Sequence, residues 1–154
     1  IIGARKVNCL VSVQAIGIAN MYFIEPDPGA LEAFTAQYPA DKPVVMLNLL
    51  RFREQAQYQA GDDAQPCTGF EAFVRYGAGV TPLISAAGGE QVWQGRQAAM
   101  VIGPQDKDWH LAVLVRYPSA QAFVAMVASD EYRAVVRHRT AALADSRLIA
   151  MREL

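Results

Sequence analysis

Two residues carry strongly polar groups where the surrounding pattern is apolar. Arg139 falls on the apolar stripe of a helix, four residues after Val135 and four before Leu143. A guanidinium there requires a carboxylate, a cluster of backbone carbonyls or an anionic ligand, unless its long stem carries the charge out to the rim. Asn48 stands in the middle of the run VVMLNLLRF, residues 44–52. An unpartnered amide buried in such a run costs about 1–3 kcal/mol, so it bonds to backbone or water or else orients a ligand. Tyr76 and Tyr132 lie on core-facing helical stripes, where each either presents a phenol to a pocket or buries a satisfied hydroxyl.

His110 and His138 are the two imidazoles. His110 shares a strand face with Arg116, a neighbour that disfavours its protonated form, and it is a candidate general base. His138 lies between Arg137 and Arg139 near a helix end, where a charge–dipole role is expected. Asp106, Asp108 and His110 alternate along the chain, but a turn with two solvated aspartates is the plainer reading, and no metal is expected. There is no GxSxG elbow, phosphate-binding loop or GxGxxG, and two histidines cannot supply a three-histidine zinc site. The catalytic candidates are therefore His110 and Arg139. The ligand-binding candidates are Asn48, Tyr76, Tyr132 and Arg139, and no cofactor is expected.

The elements that must position these groups follow from local signals. Asp27-Pro28 is an N-cap with proline at the first helical position, and the helix it opens stops before Pro39. Val44 to Phe52 is almost continuously apolar, as a strand covered on both faces would be. Residues 54–67 form a polar connection, long enough to suggest function or motion. Thr68 and Glu71 form a capping box. The helix it starts presents Phe73, Tyr76, Val80, Leu83, Ile84 and Ala87 on one face. Gly77, Gly79 and Pro82 should weaken or bend this helix, and Gly88-Gly89 ends it. Glu90 to Gly95 reads as a strand, extendable through Ala98–Ile102 past an irregularity near Gly95. Gly103 to Asp108 is a turn, and Trp109 to Tyr117 is the next strand. Ser119 and Ser129 cap two helical pieces, the second with the stripe Tyr132, Val135, Val136, Arg139, Leu143. Arg147 to Arg152 makes the last strand. The order is β-α-β-β-α-β, an α+β ferredoxin-like arrangement.

Bulk properties narrow the function classes. The 154 residues fit one domain, and 53% hydrophobic against 19% charged residues leaves apolar surface that an oligomer would bury. A net charge of −1 argues against a nucleic-acid or anionic-membrane surface, and the basic stretch RAVVRHR reads as a solvated helix end. No run of eighteen apolar residues suggests a membrane span. Cys9 and Cys67, far apart and outside any CxxC, read as reduced thiols of a cytoplasmic protein. Residues 1–20 are expected to lie outside a core domain of residues 21–154. The alternation of Val7, Cys9, Val11 and Val13 leaves an added strand open. Arg5 and Lys6 before an apolar run faintly imitate a signal peptide, which Asn8, Ser12 and Gln14 interrupt.

The combination of VVMLNLLRF, a helix ending in Gly88-Gly89, Trp109, YPS at 117–119 and SDEY at 129–132 with Arg139 resembles the family catalogued as domain of unknown function 1330. The resemblance covers roughly residues 21–154. Asp130 stands where that family usually has proline, and both residues suit a first helical turn. Members of the family are similar to the dimeric α/β-barrel superfamily, in which two ferredoxin-like protomers press their sheets together. The resemblance therefore implies a homodimeric α/β barrel with a ligand cleft between sheet and helices, where Asn48 would orient a carbonyl or phenol. It implies no single reaction, because relatives in that superfamily include cofactor-free monooxygenases, lactone isomerases and haem enzymes. The expectation is a homodimeric, cofactor-free enzyme of oxygenase or isomerase type acting on a small apolar molecule. The alternatives are a non-catalytic ligand-binding module and a purely structural dimer.

Overall fold

Among the described residues each helix starts on a side chain that satisfies a free backbone N–H, and those caps set the frame of the fold. The computed structural model describes residues 23–154 apart from Asp63; the expectations for residues 1–20, Cys9 included, lie outside the described residues. Helix α1 (Pro28–Gln37) begins where the Asp27 carboxylate accepts from the Ala30 N–H at 2.9 Å. Strand β1 (Val44–Phe52) follows. Helix α2 (Gly69–Ala86) opens on the Thr68–Glu71 capping box, closed in both directions. Strands β2 (Glu90–Gly95) and β3 (Leu111–Tyr117) come next. Helices α3 (Ala120–Val127) and α4 (Asp130–Ala142) are capped by the Ser119 and Ser129 hydroxyls, and β4 (Leu143–Met151) closes the chain.

The strands form a 4-stranded sheet in the order β2-β3-β1-β4, antiparallel at every pairing. This is the ferredoxin-like topology, with β1 and β3 central and the helices on one face. The core sits between that face and the helices: Val44, Met46 and Leu50 from β1, Val113, Val115 and Tyr117 from β3, with Ala72, Phe123, Met126 and Ala142 from the helices. Among the described residues no helix is long and apolar enough to cross a membrane.

Helix α2 runs unbroken through Gly77, Gly79 and Pro82. At Gly79 the cause is packing: a Cβ there would lie 2.5 Å from Cγ1 of Val135, so the glycine lets α4 approach. Gly88, at φ +73°, ends the helix in a Schellman motif, with the Gly89 N–H bonded to the Ile84 carbonyl at 2.8 Å and the Gly88 N–H to Ser85 at 3.0 Å.

Several sequence expectations are corrected. Residues 98–102 do not extend β2; they begin a long loop in which Val101 and Ile102 are exposed. β3 starts at Leu111 rather than Trp109, because His110 turns its ring back to the end of β1. β4 starts at Leu143 rather than Arg147, the helix passing straight into extended backbone at its C-cap. Among the described residues the chain's own helices cover one face of β1. Its alternate residues Val45, Leu47 and Leu49 are half-buried, beside Trp93 (53% exposed), Ile149 (42%) and Met151 (46%) on the same outer face.

Candidate functional site

Between the inner face of the sheet and the helices lies a cavity of about 1040 Å³, walled mainly by aliphatic and aromatic side chains such as Phe73, Val80, Ile84, Phe123, Met126 and Val136. Asn48, Tyr76, Tyr132 and Arg139 all line it. Each arrives there by the period of its element. Asn48 alternates with Met46 and Leu50 on the inner face of β1. Tyr132, Val136 and Arg139 occupy positions i, i+4 and i+7 of α4, one stripe along that helix. Tyr76 faces them from α2, its ring centroid 6.4 Å from that of Tyr132 and nearly perpendicular at 84°.

The polar groups are an amide, two phenols and a guanidinium. The Asn48 side-chain amide donates to its strand neighbour Met46 at 3.3 Å, a long bond that leaves its carbonyl oxygen without a donor among the described residues. Burial pushes the Tyr76 phenol well above the ordinary tyrosine range; Tyr132 adds to this by charge and hydrogen bonding, and Arg139 opposes it. Burial and Tyr132 likewise raise Tyr117, whose hydroxyl reaches the Met126 sulfur at 3.9 Å. Both phenols therefore stay protonated at physiological pH.

Arg139 is 8% exposed. Its guanidinium donates to the Ile24 carbonyl at 2.6 Å and to the Ser146 hydroxyl at 3.3 Å. Among the described residues no carboxylate pairs with it. The carboxylates that line the cavity are engaged elsewhere: Glu25 accepts from the Thr140 hydroxyl at 2.6 Å and Asp27 caps α1.

His110 is not brought to this cavity. It is exposed, and its Nδ1 accepts the Phe52 N–H at 3.0 Å, so the proton of the neutral ring resides on Nε2. Nor does it neighbour Arg116, which lies at the other end of β3 and pairs with Glu90 and Glu153. His138 does not act as a cation at a helix end either. Its Nδ1 lies 2.7 Å from the Tyr58 hydroxyl, and burial, Arg137 and Arg75 all lower its pKa. Asp106, Asp108 and His110 do not gather: among the described residues no group of three potential metal ligands does.

A cluster next to the cavity has no counterpart in the sequence reading. Asp145, fully buried on β4, accepts from the Phe23 N–H at 3.0 Å, the Ser146 N–H at 2.9 Å and Arg147 at 2.6 Å. Burial pushes this carboxyl up, but the Phe23 N–H, the Arg147 guanidinium and the Ser146 N–H together hold it below the ordinary carboxylate range. Ser146 also bonds the Phe23 carbonyl, through its N–H at 2.7 Å and its hydroxyl at 2.8 Å. Arg147 lies under the Phe23 ring, 4.8 Å from its centroid. Asp145, Ser146 and Arg139 thus strap residues 23–25 along β4 and α4, where Ile24 and Glu25 become cavity wall. No local signal marks this, since the partners are more than 110 residues apart in sequence.

The fold and this sheet–helix cavity define a ferredoxin-like α+β protein. The family profile described as domain of unknown function (DUF1330) matches residues 67–154, and the chain belongs to that family. The methylated RPA0582 protein is 41% identical, with a TM-score of 0.80 over 86% of this chain and 96% of that one. A second crystal structure of RPA0582, a protein of unknown function from Rhodopseudomonas palustris, is 40% identical with the same TM-score of 0.80 over 87% and 98%. A DABB family protein with a ferredoxin-like fold from Mesorhizobium loti is 16% identical, with a TM-score of 0.48 over 73% and 97%. No curated protein matches the chain.

Proposed function

We propose that this protein is a homodimer that binds a small, mostly apolar molecule in the cavity of each protomer, with the polar end of the molecule held by Asn48, Tyr76, Tyr132 and Arg139. The observation that carries this reading is that these four polar groups line one cavity whose remaining walls are largely apolar, the usual composition of a small-molecule site. The dimer rests on the outer face of the sheet, where Trp93, Ile149 and Met151 leave a contiguous apolar surface beside Leu47 and Leu49.

A catalytic reading has one specific support. A phenol kept protonated in the same cavity as an arginine, as Tyr76 is with Arg139, suits a developing oxyanion, the charge that forms in cofactor-free oxygenation or isomerisation through an enolate or phenolate. His110, the candidate base, lies outside the cavity, so binding is the function this geometry supports best. Mass spectrometry of small molecules that co-purify with the wild type, Asn48→Ala and Arg139→Ala tests it. The expected result is a compound enriched with the wild type and depleted in both variants; equal retention in all three would remove the site.

A further inference from the structure

We infer that the ligand is an apolar monocarboxylate whose carboxylate is seated at Arg139. This rests on the binding reading above and narrows it to a ligand class. Among the arginines that line the cavity, Arg139 is the one both buried and without a carboxylate partner among the described residues. Of the other arginines that line it, Arg147 reaches Asp145 at 2.6 Å and Arg133 pairs with Asp130. Arg96 is directed over the Phe70 ring, 5.7 Å from its centroid. Arg139 is buried and, among the described residues, meets a backbone carbonyl and a serine hydroxyl but no anion. A guanidinium taken out of water and left without a counter-charge is the state a buried arginine is least suited to. A carboxylate supplies the missing charge and matches the fork of guanidinium donors.

The groups beside it agree in sign. The Tyr76 phenol stays protonated, Asn48 is a neutral amide, and none of the four binding candidates carries negative charge. A cationic head would face Arg139 directly. A dianion would bring a second charge into a largely apolar space, where the other lining arginine without a carboxylate partner, Arg96, is exposed and directed over the Phe70 ring. The hydrocarbon part of the molecule finds Phe73, Val80, Phe123 and Met126 on the same walls.

Isothermal titration of the full chain with octanoate, 1-octanol and octylamine, at pH 7.5 and fixed ionic strength, tests the inference. Octanoate should bind at least about tenfold more tightly than 1-octanol, as a charge-assisted bond implies, and octylamine most weakly. Arg139→Gln should remove that advantage by weakening octanoate at least about tenfold more than it weakens 1-octanol. Should circular dichroism show that Arg139→Gln does not fold, Tyr76→Phe and Tyr132→Phe take its place, each expected to weaken octanoate more than 1-octanol. Equal affinity for octanoate and 1-octanol in the wild type, or an unchanged ratio in folded variants, overturns the carboxylate assignment and leaves the binding reading standing. Failure of all three probes to bind overturns both.

Discussion

On its inner face the sheet carries Val44, Met46, Asn48 and Leu50 along β1, roofed by helices; on its outer face the alternate residues Val45, Leu47 and Leu49 stand half-open. The strands are the same and the period is 2, yet the two faces differ in kind. The inner face is closed by the chain's own helices and holds its few polar groups in a cavity. The outer face is mostly apolar, with Arg116 towards one end paired to Glu90 and Glu153; it holds none of the ligand candidates, and among the described residues it stays uncovered except at one corner. At that corner Asp145, opposite Arg51, is sealed by Phe23 and Arg147. The difference teaches that an almost continuously apolar strand does not say which of its faces the chain's own helices cover.

Substitutions on the two faces should therefore separate folding from assembly. Leu50→Ala, at a side chain 1% exposed, should cost about 2–5 kcal/mol, read by urea denaturation. At the sealed corner, Asp145→Asn should cost about 1.5–3 kcal/mol, the worth of hydrogen bonds to a charged group. The sign with pH follows from the lowered pKa of this carboxyl. Its contribution is present above the unfolded value of about 3.9 and is lost as pH falls through the lower folded value. The stability difference between wild type and Asp145→Asn should accordingly shrink on acidification below pH 4, which denaturation at stepped pH checks.

Ile149→Lys on the open outer face should change the stability of the folded chain by no more than about 0.5 kcal/mol and yet convert the proposed dimer to a monomer. Light scattering at micromolar concentration reads this directly, and a wild type that is already monomeric removes the dimer. The smallest expected effect is spectroscopic. Of 6 tyrosines, Tyr76 and Tyr117 on the inner side should resist ionisation in an alkaline absorbance titration. For these phenols the stabilisation is full below the unfolded value of about 10 and falls as pH rises past it. Tyr76→Phe should remove one resistant phenol.

Much of the frame was legible because its signals are local. Asp27, Thr68 with Glu71, Ser119 and Ser129 each cap the helix expected of them, and the β-α-β-β-α-β order follows from them. Asn48 and Arg139 stood out because each breaks an apolar pattern, and that break is visible within one turn of chain. What was not legible depends on distant partners. Leu143 satisfies a helical stripe and a strand alike, so the start of β4 left no mark. Asp145 is unwelcome in a strand by propensity and is tolerated because Phe23, 122 residues away, donates to it. His110 reads as a free base until the Phe52 N–H takes its lone pair.

The contrast between the two faces is tested most directly by amide chemical shifts of the full chain on addition of 1-octanol. Shifts confined to Asn48, Tyr76, Val113 and Tyr132 on the cavity side are the result this account predicts. Shifts at Leu47, Leu114 and Ile149 on the outer face with none at the cavity, or no shifts anywhere, would contradict it.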